Sequence, residues 1–277
     1  MGVLNVTPDS FSDGGIYFER KKAVSRGLDM AAAGADIIDI GGESTRPGSD
    51  PVSPEAEKER VIPVISELRR QTEVLISIDT TKSQVAQAAL DAGADMINDI
   101  SAFRFDPEMA GLAAQKKVPV VLMHMKGVPK TMQKAPTYKD VVNEVEGFLA
   151  ERVEFATAHG IERNKIIIDP GIGFGKRLED NLELLYNLDC LKKLNRPILV
   201  GASRKSFIGT ILDLPPKERL EGTIASAVLC IARGAHILRV HDVIAVRRAA
   251  LVADAIINRK PSFSPPCEEV RKDTHAA

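Results

Sequence analysis

The sequence predicts an α/β protein, a closed (β/α)8 TIM barrel in a single domain, on three observations. Eight short β-branched runs recur, at 3–6, 35–40, 74–78, 95–98, 118–123, 165–168, 197–200 and 236–240. Longer amphipathic stretches separate them, and these read as helices at 19–33, 54–70, 83–92, 138–159, 178–194, 219–233 and 242–258. Three helices end on one phrase: Ala33-Gly34-Ala35-Asp36, Ala92-Gly93-Ala94-Asp95 and Arg233-Gly234-Ala235-His236.

Each observation has a physical reason. The runs are apolar nearly throughout and give way to Gly, Pro, Asp, Ser or Thr, as strands buried on both faces of a parallel sheet do. The glycine of the repeated phrase ends a helix in a left-handed cap, and the next strand starts at once. Strict alternation over about 250 residues suits a closed barrel. A doubly wound open sheet is the alternative, but no G-x-G-x-x-G follows the first strand. The helix at 54–70 carries its own start signal: Ser53 as cap, Pro54 at the first position, Glu55 and Glu57 in the first turn. The domain is expected to span 1–258, and the Pro- and Ser-rich stretch at 259–277 reads as a disordered tail.

Composition narrows the class of function. The chain has 277 residues, 44% of them hydrophobic and 27% charged, which is enough for an ordinary packed core. A net charge of -1 argues against a nucleic-acid or membrane-surface binder, so an anionic ligand needs a local basic cluster. Cys190, Cys230 and Cys267 are scattered and form no C-x-x-C pair. With no signal peptide at Met1 and no membrane-length apolar run, a cytoplasmic protein is the expectation.

Chemistry in such a barrel sits where strands end. Those positions hold Asn5, Asp39, Asp79, Asn98 with Asp99, His124, Asp169, Ser203 with Lys205, and Arg239 with His241. A strand-end Asp can instead cap the next helix, a live reading for Asp79 before Thr80. Capping does not explain Lys205, Arg239 and His241, because a cation belongs at a helix C-terminus. Asp79, Asn98 and Asp169 suit a flat heterocycle with N–H donors on one edge and acceptors on another. Lys205 and Arg239, with His241 and Arg46 as further candidates, suit phosphate or carboxylate oxygens. The amide oxygen of Asn5 suits a hard cation that also binds phosphate.

Two loops after strands are long, polar and glycine-rich: Thr7 through Gly15, and Gly41 through Ser49. They read as a lid in which Asp13 and Arg46 pair on closure, or as two mobile surface loops. Asp169-Pro170-Gly171-Ile172-Gly173-Phe174-Gly175-Lys176 is not a nucleotide loop: Pro170 and Arg177 break the Walker A pattern, and it reads as a tight turn presenting Asp169. No H-E-x-x-H and no cysteine cluster marks a metal site. Of the five histidines, His124 reads as packed barrel, His159 as a helix C-terminal cation, His236 as the opening of a strand on the bottom face and His275 as tail; only His241 lies at the active end beside a cation.

Seven phrases, in order, resemble the motif series of the dihydropteroate synthase family: Asn5 through Gly15, Gly41 through Gly48, Ile78-Asp79-Thr80, Asn98-Asp99-Ile100, Asp169 through Lys176, Ser203-Arg204-Lys205-Ser206 and Arg239-Val240-His241-Asp242. The first two are long and specific; Asn-Asp-Ile alone is weak. The resemblance implies pterin binding by Asp79, Asn98, Asp169, Lys205 and Arg239, with Met123 and Phe174 lining the apolar pocket. It implies diphosphate binding by Asn5, Arg239 and His241, with Thr45 and Arg46 beside them, and Mg2+ joining Asn5 to the diphosphate. It implies a 4-aminobenzoate site of Phe11, Thr45, Pro47, Lys205 and Ser206, and a homodimer built through barrel helices. The family commonly has a short segment before the first strand that helps close the barrel bottom. This chain starts at that strand, so a trimmed, less stable N-terminus is expected; the tail has no counterpart in the pattern.

The implied reaction fits the residues. An aromatic amine is a weak nucleophile, neutral at pH 7, and needs no strong base. Departure of pyrophosphate is the hard step, and Lys205, Arg239, His241 and Mg2+ suit the charge that develops there, with Asp79 near the pterin cation. Loops that close would keep water from that cation. A folate-dependent methyltransferase on the same barrel also reads a pterin with Asp and Asn, but has no use for the two loops or for Arg239 with His241. A barrel that binds pterin without catalysis is a rival from another class, and every motif position it would be free to lose is present.

Overall fold

The computed structural model describes residues 1–7, 15–45 and 48–259, with the side chains of 15–19 set aside. Six strands form one parallel sheet in sequence order: β1 (Gly2–Asn5), β2 (Ile37–Gly41), β3 (Leu75–Asp79), β4 (Met96–Asp99), β5 (Val120–Met123) and β6 (Ile166–Asp169). β7 (Leu199–Val200) and β8 (Ile237–Leu238) pair parallel with each other. Two bridges close the ring, Ile168 with Ile198 and Gly2 with Val240. The second is fastened by Val3 N–H to Val240 O and Val240 N–H to Met1 O, both 2.9 Å. The barrel expected from the alternation is therefore closed, as in a (β/α)8 fold.

Strand residues alternate between two apolar layers, because successive side chains face opposite sides. Ile38, Ile40, Ile76, Ile78, Ile97, Val120, Leu122, Ile166 and Ile168 face outward into the main core against the helices. Ile37, Met96, Val121, Ile167 and Leu199, joined by Met1 and Ile237, face inward and plug the bottom of the barrel.

Nine α-helices surround it among the described residues: α1 (Gly15–Ala32), α2 (Pro54–Gln71), α3 (Ser83–Asp91), α4 (Met109–Lys116), α5 (Val141–Ala158), α6 (Leu178–Tyr186), α7 (Ser206–Leu212), α8 (Leu220–Ala232) and α9 (Val243–Asn258). α7 is an extra helix in the connection from β7 to α8, and neither it nor α4 is among the stretches read above. Ser53 caps α2 as expected, its hydroxyl accepting from Ala56 N–H at 3.2 Å. Gly34, Gly93 and Gly234 adopt φ of 86°, 109° and 100° after their helices, as the repeated phrase requires.

Two helices differ from expectation. α5 starts at Val141, not at 138, because Asp140 caps it, accepting from Asn143 N–H at 3.0 Å. The stretch at 178–194 breaks at Asn187, whose amide donates to Glu183 O at 3.0 Å and draws the chain into the tighter 3-10 turn Leu188–Leu194. The lid pair Asp13 and Arg46, together with Phe11, Pro47 and residues 260–277, lie outside the described residues.

Candidate active site

The site is the next inward layer of the barrel. Two residues beyond Ile37, Met96, Val121, Ile167, Leu199 and Ile237, on the same face, come Asp39, Asn98, Met123, Asp169, Gly201 and Arg239. β3 adds Asp79, which pairs in register with Asn98. Below this level the interior is apolar except for the buried Ser77 of β3; at this level it carries three carboxylates, an amide and a guanidinium.

Arg239 is the hub. Its Nε donates to Asp39 Oδ2 and its Nη2 to Asp79 Oδ2, both at 2.6 Å. Asn98 Nδ2 also donates to Asp39 Oδ2, at 3.1 Å. Burial works against the Arg239 charge, yet Asp39 and Asp79 hold its pKa above the ordinary value. Asp79 shares that one guanidinium with Asp39, so burial wins there and pushes its carboxyl up to about 7. Asp79 thus serves as a buried, shared carboxylate and not as a cap: the residue preceding α3 is Lys82.

Asp169 faces this pair from β6. Burial pushes it up to about 6, against the Gly171 N–H that donates to it at 2.7 Å and against Lys205. Lys205 is pulled down to about 8 by burial and then by Arg239. Its Nζ lies 4.1 Å from the centre of the Phe174 ring, a cation–π contact. Phe174, Met123, Ile100, Met125 and Met132 form a separate buried apolar cluster. The result is a narrow slot with a polar floor, one apolar wall and a cation over its edge, bordered by Thr45, Gly171 and Gly201.

At the rim, Asn5 ends β1 beside Gly41. His241 Nδ1 lies 3.0 Å from Ser203 Oγ, and its backbone N–H donates to the same hydroxyl at 3.2 Å. Burial, then Arg239, pulls His241 down to about 4, so it meets an anion as a neutral N–H donor. Arg204 holds the two rim loops together through both carboxylate oxygens of Asp242, at 2.9 and 2.6 Å. Ser206 opens α7 on the exposed surface next to Lys205.

A profile of the family described as pterin binding enzyme matches residues 1–241. The chain belongs to the pterin binding enzyme family. It is 52% identical over 257 residues to a dihydropteroate synthase of a Synechocystis species, covering 92% of this chain and 89% of that one. Among solved structures it resembles a Xanthomonas albilineans dihydropteroate synthase bound to 4-aminobenzoic acid, with a TM-score of 0.88, 49% identity, and 93% and 92% of the two chains covered. The enzyme of that species in complex with 7,8-dihydropteroate is also similar, with a TM-score of 0.85, 46% identity and the same two coverages.

Within this pterin-binding barrel, the structure brings together Asp79, Asn98, Met123, Asp169, Phe174, Lys205 and Arg239, the residues expected to form the pterin site. Asn5, Thr45, His241 and Ser206 stand around the rim. Sequence reasoning gave four residues no specific role in the site: Asp39, Glu57, Lys82 and Lys176. Asp39 was in the strand-end set, yet nothing local marks it as the partner of a residue 200 positions away. Glu57 read as a first-turn acid on α2, but it is fully buried and accepts from Lys82 Nζ at 2.5 Å. Lys82 also pairs with Glu43, two residues before Thr45, and so joins the loop after β2 to the loop after β3. Lys176 read as part of a tight turn, where it does lie, but its side chain is buried and bonded to His124.

A cavity of about 350 Å3 adjoins the slot, sharing Thr45, Asp79 and Ile100 with it and reaching Phe105 and Val128. Among the described residues no group of three or more His, Cys, Asp or Glu could hold a metal ion. The amide oxygen of Asn5 fits a magnesium ion only as one ligand of an ion that the diphosphate itself carries.

Proposed function

We propose that this chain joins (7,8-dihydropterin-6-yl)methyl diphosphate to 4-aminobenzoate, forming 7,8-dihydropteroate and releasing pyrophosphate, as a transferase of folate biosynthesis. The observation that carries the assignment is the polar layer of Asp79, Asn98 and Asp169 facing Lys205 and Arg239 across an apolar-walled slot.

The slot suits a pterin edge. Asn98 spends one N–H on Asp39, a bond that fixes the amide and leaves its carbonyl oxygen to accept from the ring. A carboxylate at Asp169 pairs with an amino group and an adjacent ring N–H together. Phe174 and Met123 cover the heterocycle's flat face. Lys205, held over Phe174, reaches a ring acceptor.

Departure of pyrophosphate is the demanding step, and the cations stand where it leaves. Arg239 reaches the diphosphate oxygens with the guanidinium nitrogen that neither carboxylate takes. His241, neutral and oriented by Ser203, donates a hydrogen bond. Thr45, Arg46 and Asn5 complete the diphosphate set. Magnesium, held by Asn5 and the diphosphate, supplies charge neutralisation on the leaving group. The C–O bond breaks ahead of attack, and the electron-rich pterin carries the positive charge near Asp79 and Asp169. The amine of 4-aminobenzoate, already neutral, then attacks and sheds its proton. Phe11, Thr45, Pro47 and Lys205 position it, and Ser206 binds its carboxylate. Asp13 and Arg46 close the loops over the site.

Two further assignments rest on surfaces and composition. Ile211, Leu229, Val252 and Ile256 leave α7, α8 and α9 with large exposed apolar side chains, which supports a homodimer through this side of the barrel. The unpaired cysteines support a cytoplasmic setting, and among the described residues no helix is long and apolar enough to cross a membrane.

The test is pyrophosphate release from the pterin diphosphate with magnesium, with and without 4-aminobenzoate, for wild type and Lys205→Ala. The assignment requires release coupled to dihydropteroate formation, reduced at least about 100-fold in the variant. Pterin binding without turnover in the wild type contradicts it.

A further inference from the structure

Lys176 closes the loop after β6 yet does not line the slot. It is 3% exposed, and its Nζ lies 2.8 Å from His124 Nδ1, 2.9 Å from Gly171 O, 3.1 Å from Phe174 O and 3.4 Å from His124 O. Burial, then Lys176 itself, pulls the His124 ring down to about 2, so the ring is neutral, and its Nδ1 accepts in the tautomer that carries the proton on Nε2. An ammonium has three protons, and the three nearest acceptors take one each. A neutral amine would donate to the two carbonyls and accept from His124 Nδ1–H in the other tautomer. Burial pulls the Lys176 amino group down to about 7, with Asp169 favouring the charge and Lys205 opposing it, and Nζ keeps the same three partners in either protonation state.

The loop needs such an anchor. It lies backbone-on-backbone against the end of β5: a Cβ at Gly171 would collide with His124 O, and one at Gly175 with Lys126 O. Carbonyl dipoles of His124, Gly171 and Phe174 converge on one point, and Lys176 Nζ occupies it. The same loop presents Phe174 under Lys205 and the Gly171 N–H that bonds Asp169. Other groups hold its outer side: Asn181 Oδ1 accepts from Gly173 N–H at 2.6 Å, and Tyr138 OH donates to Gly175 O at 2.6 Å.

We propose that Lys176 is a positioning residue for the pterin slot: its Nζ, bonded from behind to His124, Gly171 and Phe174, fixes the wall and the Asp169 carboxylate before the pterin arrives. This rests on the functional reading above. Without that amino group, two buried carbonyls and the His124 ring lose their partner and the loop moves to find new ones.

The test is titration of 6-hydroxymethylpterin into wild type, Lys176→Met and Tyr138→Phe, with steady-state kinetics at a temperature where circular dichroism shows each folded. Lys176→Met is expected to bind the pterin at least tenfold more weakly with KM for 4-aminobenzoate unchanged, while Tyr138→Phe stays within threefold of wild type. A merely structural lysine would lower the melting temperature and leave the affinity of the folded protein alone; affinity within twofold of wild type overturns the proposal. If Lys176→Met does not fold, hydrogen exchange on the wild type decides: amides 171–175 must be protected without ligand, and rapid exchange there that slows only on adding pterin overturns it. A wild type that binds no pterin sinks the functional reading, whereas wild-type binding with an unchanged variant sinks only the role of Lys176.

Discussion

The Arg239 guanidinium meets the Asp39 carboxylate at 2.6 Å across the barrel, and Asp39 in turn accepts from Asn98. Asp39 is fully buried, and its second oxygen has no hydrogen-bond partner among the described residues. It aims Asn98 and, together with Asp79, the Arg239 guanidinium. Asp39→Ala is expected to lower kcat/KM about 100-fold or more, by freeing Arg239 from its orientation. Steady-state kinetics with circular dichroism on the folded variant checks this; a loss of less than threefold shows that Asp79 alone orients Arg239.

Asp169 makes the slot sensitive to acid. A pterin N–H pairs with the ionised carboxylate, and burial places its pKa at about 6. Pterin affinity should fall as pH drops through that value, well above the range of an ordinary carboxylate. The stability of the unliganded fold runs the other way. A folded pKa raised above the unfolded one means that the native state binds the extra proton, so this group costs stability as pH rises from about 4 to about 6. Asp169→Asn should therefore stabilise the empty protein at pH 7, by about 1 kcal/mol or more, while abolishing pterin binding. Urea denaturation and calorimetric titration test the two halves separately.

The Lys82, Glu43 and Glu57 cluster ties the loop that carries Thr45 to the strand that carries Asp79. Lys82→Met leaves the Glu57 carboxylate buried without a cation. The expected cost is about 3 kcal/mol in urea unfolding, and Lys82→Met with Glu57→Gln should recover part of it. Additive losses in the double variant would show that the two residues do not act as a pair.

Leu229 and Val252 are 65% and 60% exposed on neighbouring helices α8 and α9. If that face joins two copies, Leu229→Lys with Val252→Lys should halve the mass seen by sedimentation without unfolding the barrel. An unchanged mass moves the interface elsewhere.

Much of this was legible because barrel strands are buried on both faces and read as unbroken apolar runs, such as Ile37-Ile38 and Ile166-Ile167-Ile168. The three Gly caps fixed where helices stop. Asp79, Asn98, Asp169, Lys205 and Arg239 were legible as a site because strand ends of a barrel converge. Helix bounds were less so: the break at Asn187 depends on one side chain competing with the backbone. Buried charges were the least legible. Glu57 and Lys176 look like surface residues until Lys82, 25 positions on, and His124, 52 positions back, are placed beside them.

The most direct test of the central claim is calorimetric titration of 6-hydroxymethylpterin into wild type and Asp79→Asn, both shown to be folded. The slot described above predicts one saturable site in the wild type and at least about 30-fold weaker binding in the variant, the loss expected when a charged acceptor is removed from a buried hydrogen-bonded pair. Equal affinity in the two proteins would contradict it, because the pterin would then bind somewhere other than the polar layer that Asp79 shares with Arg239.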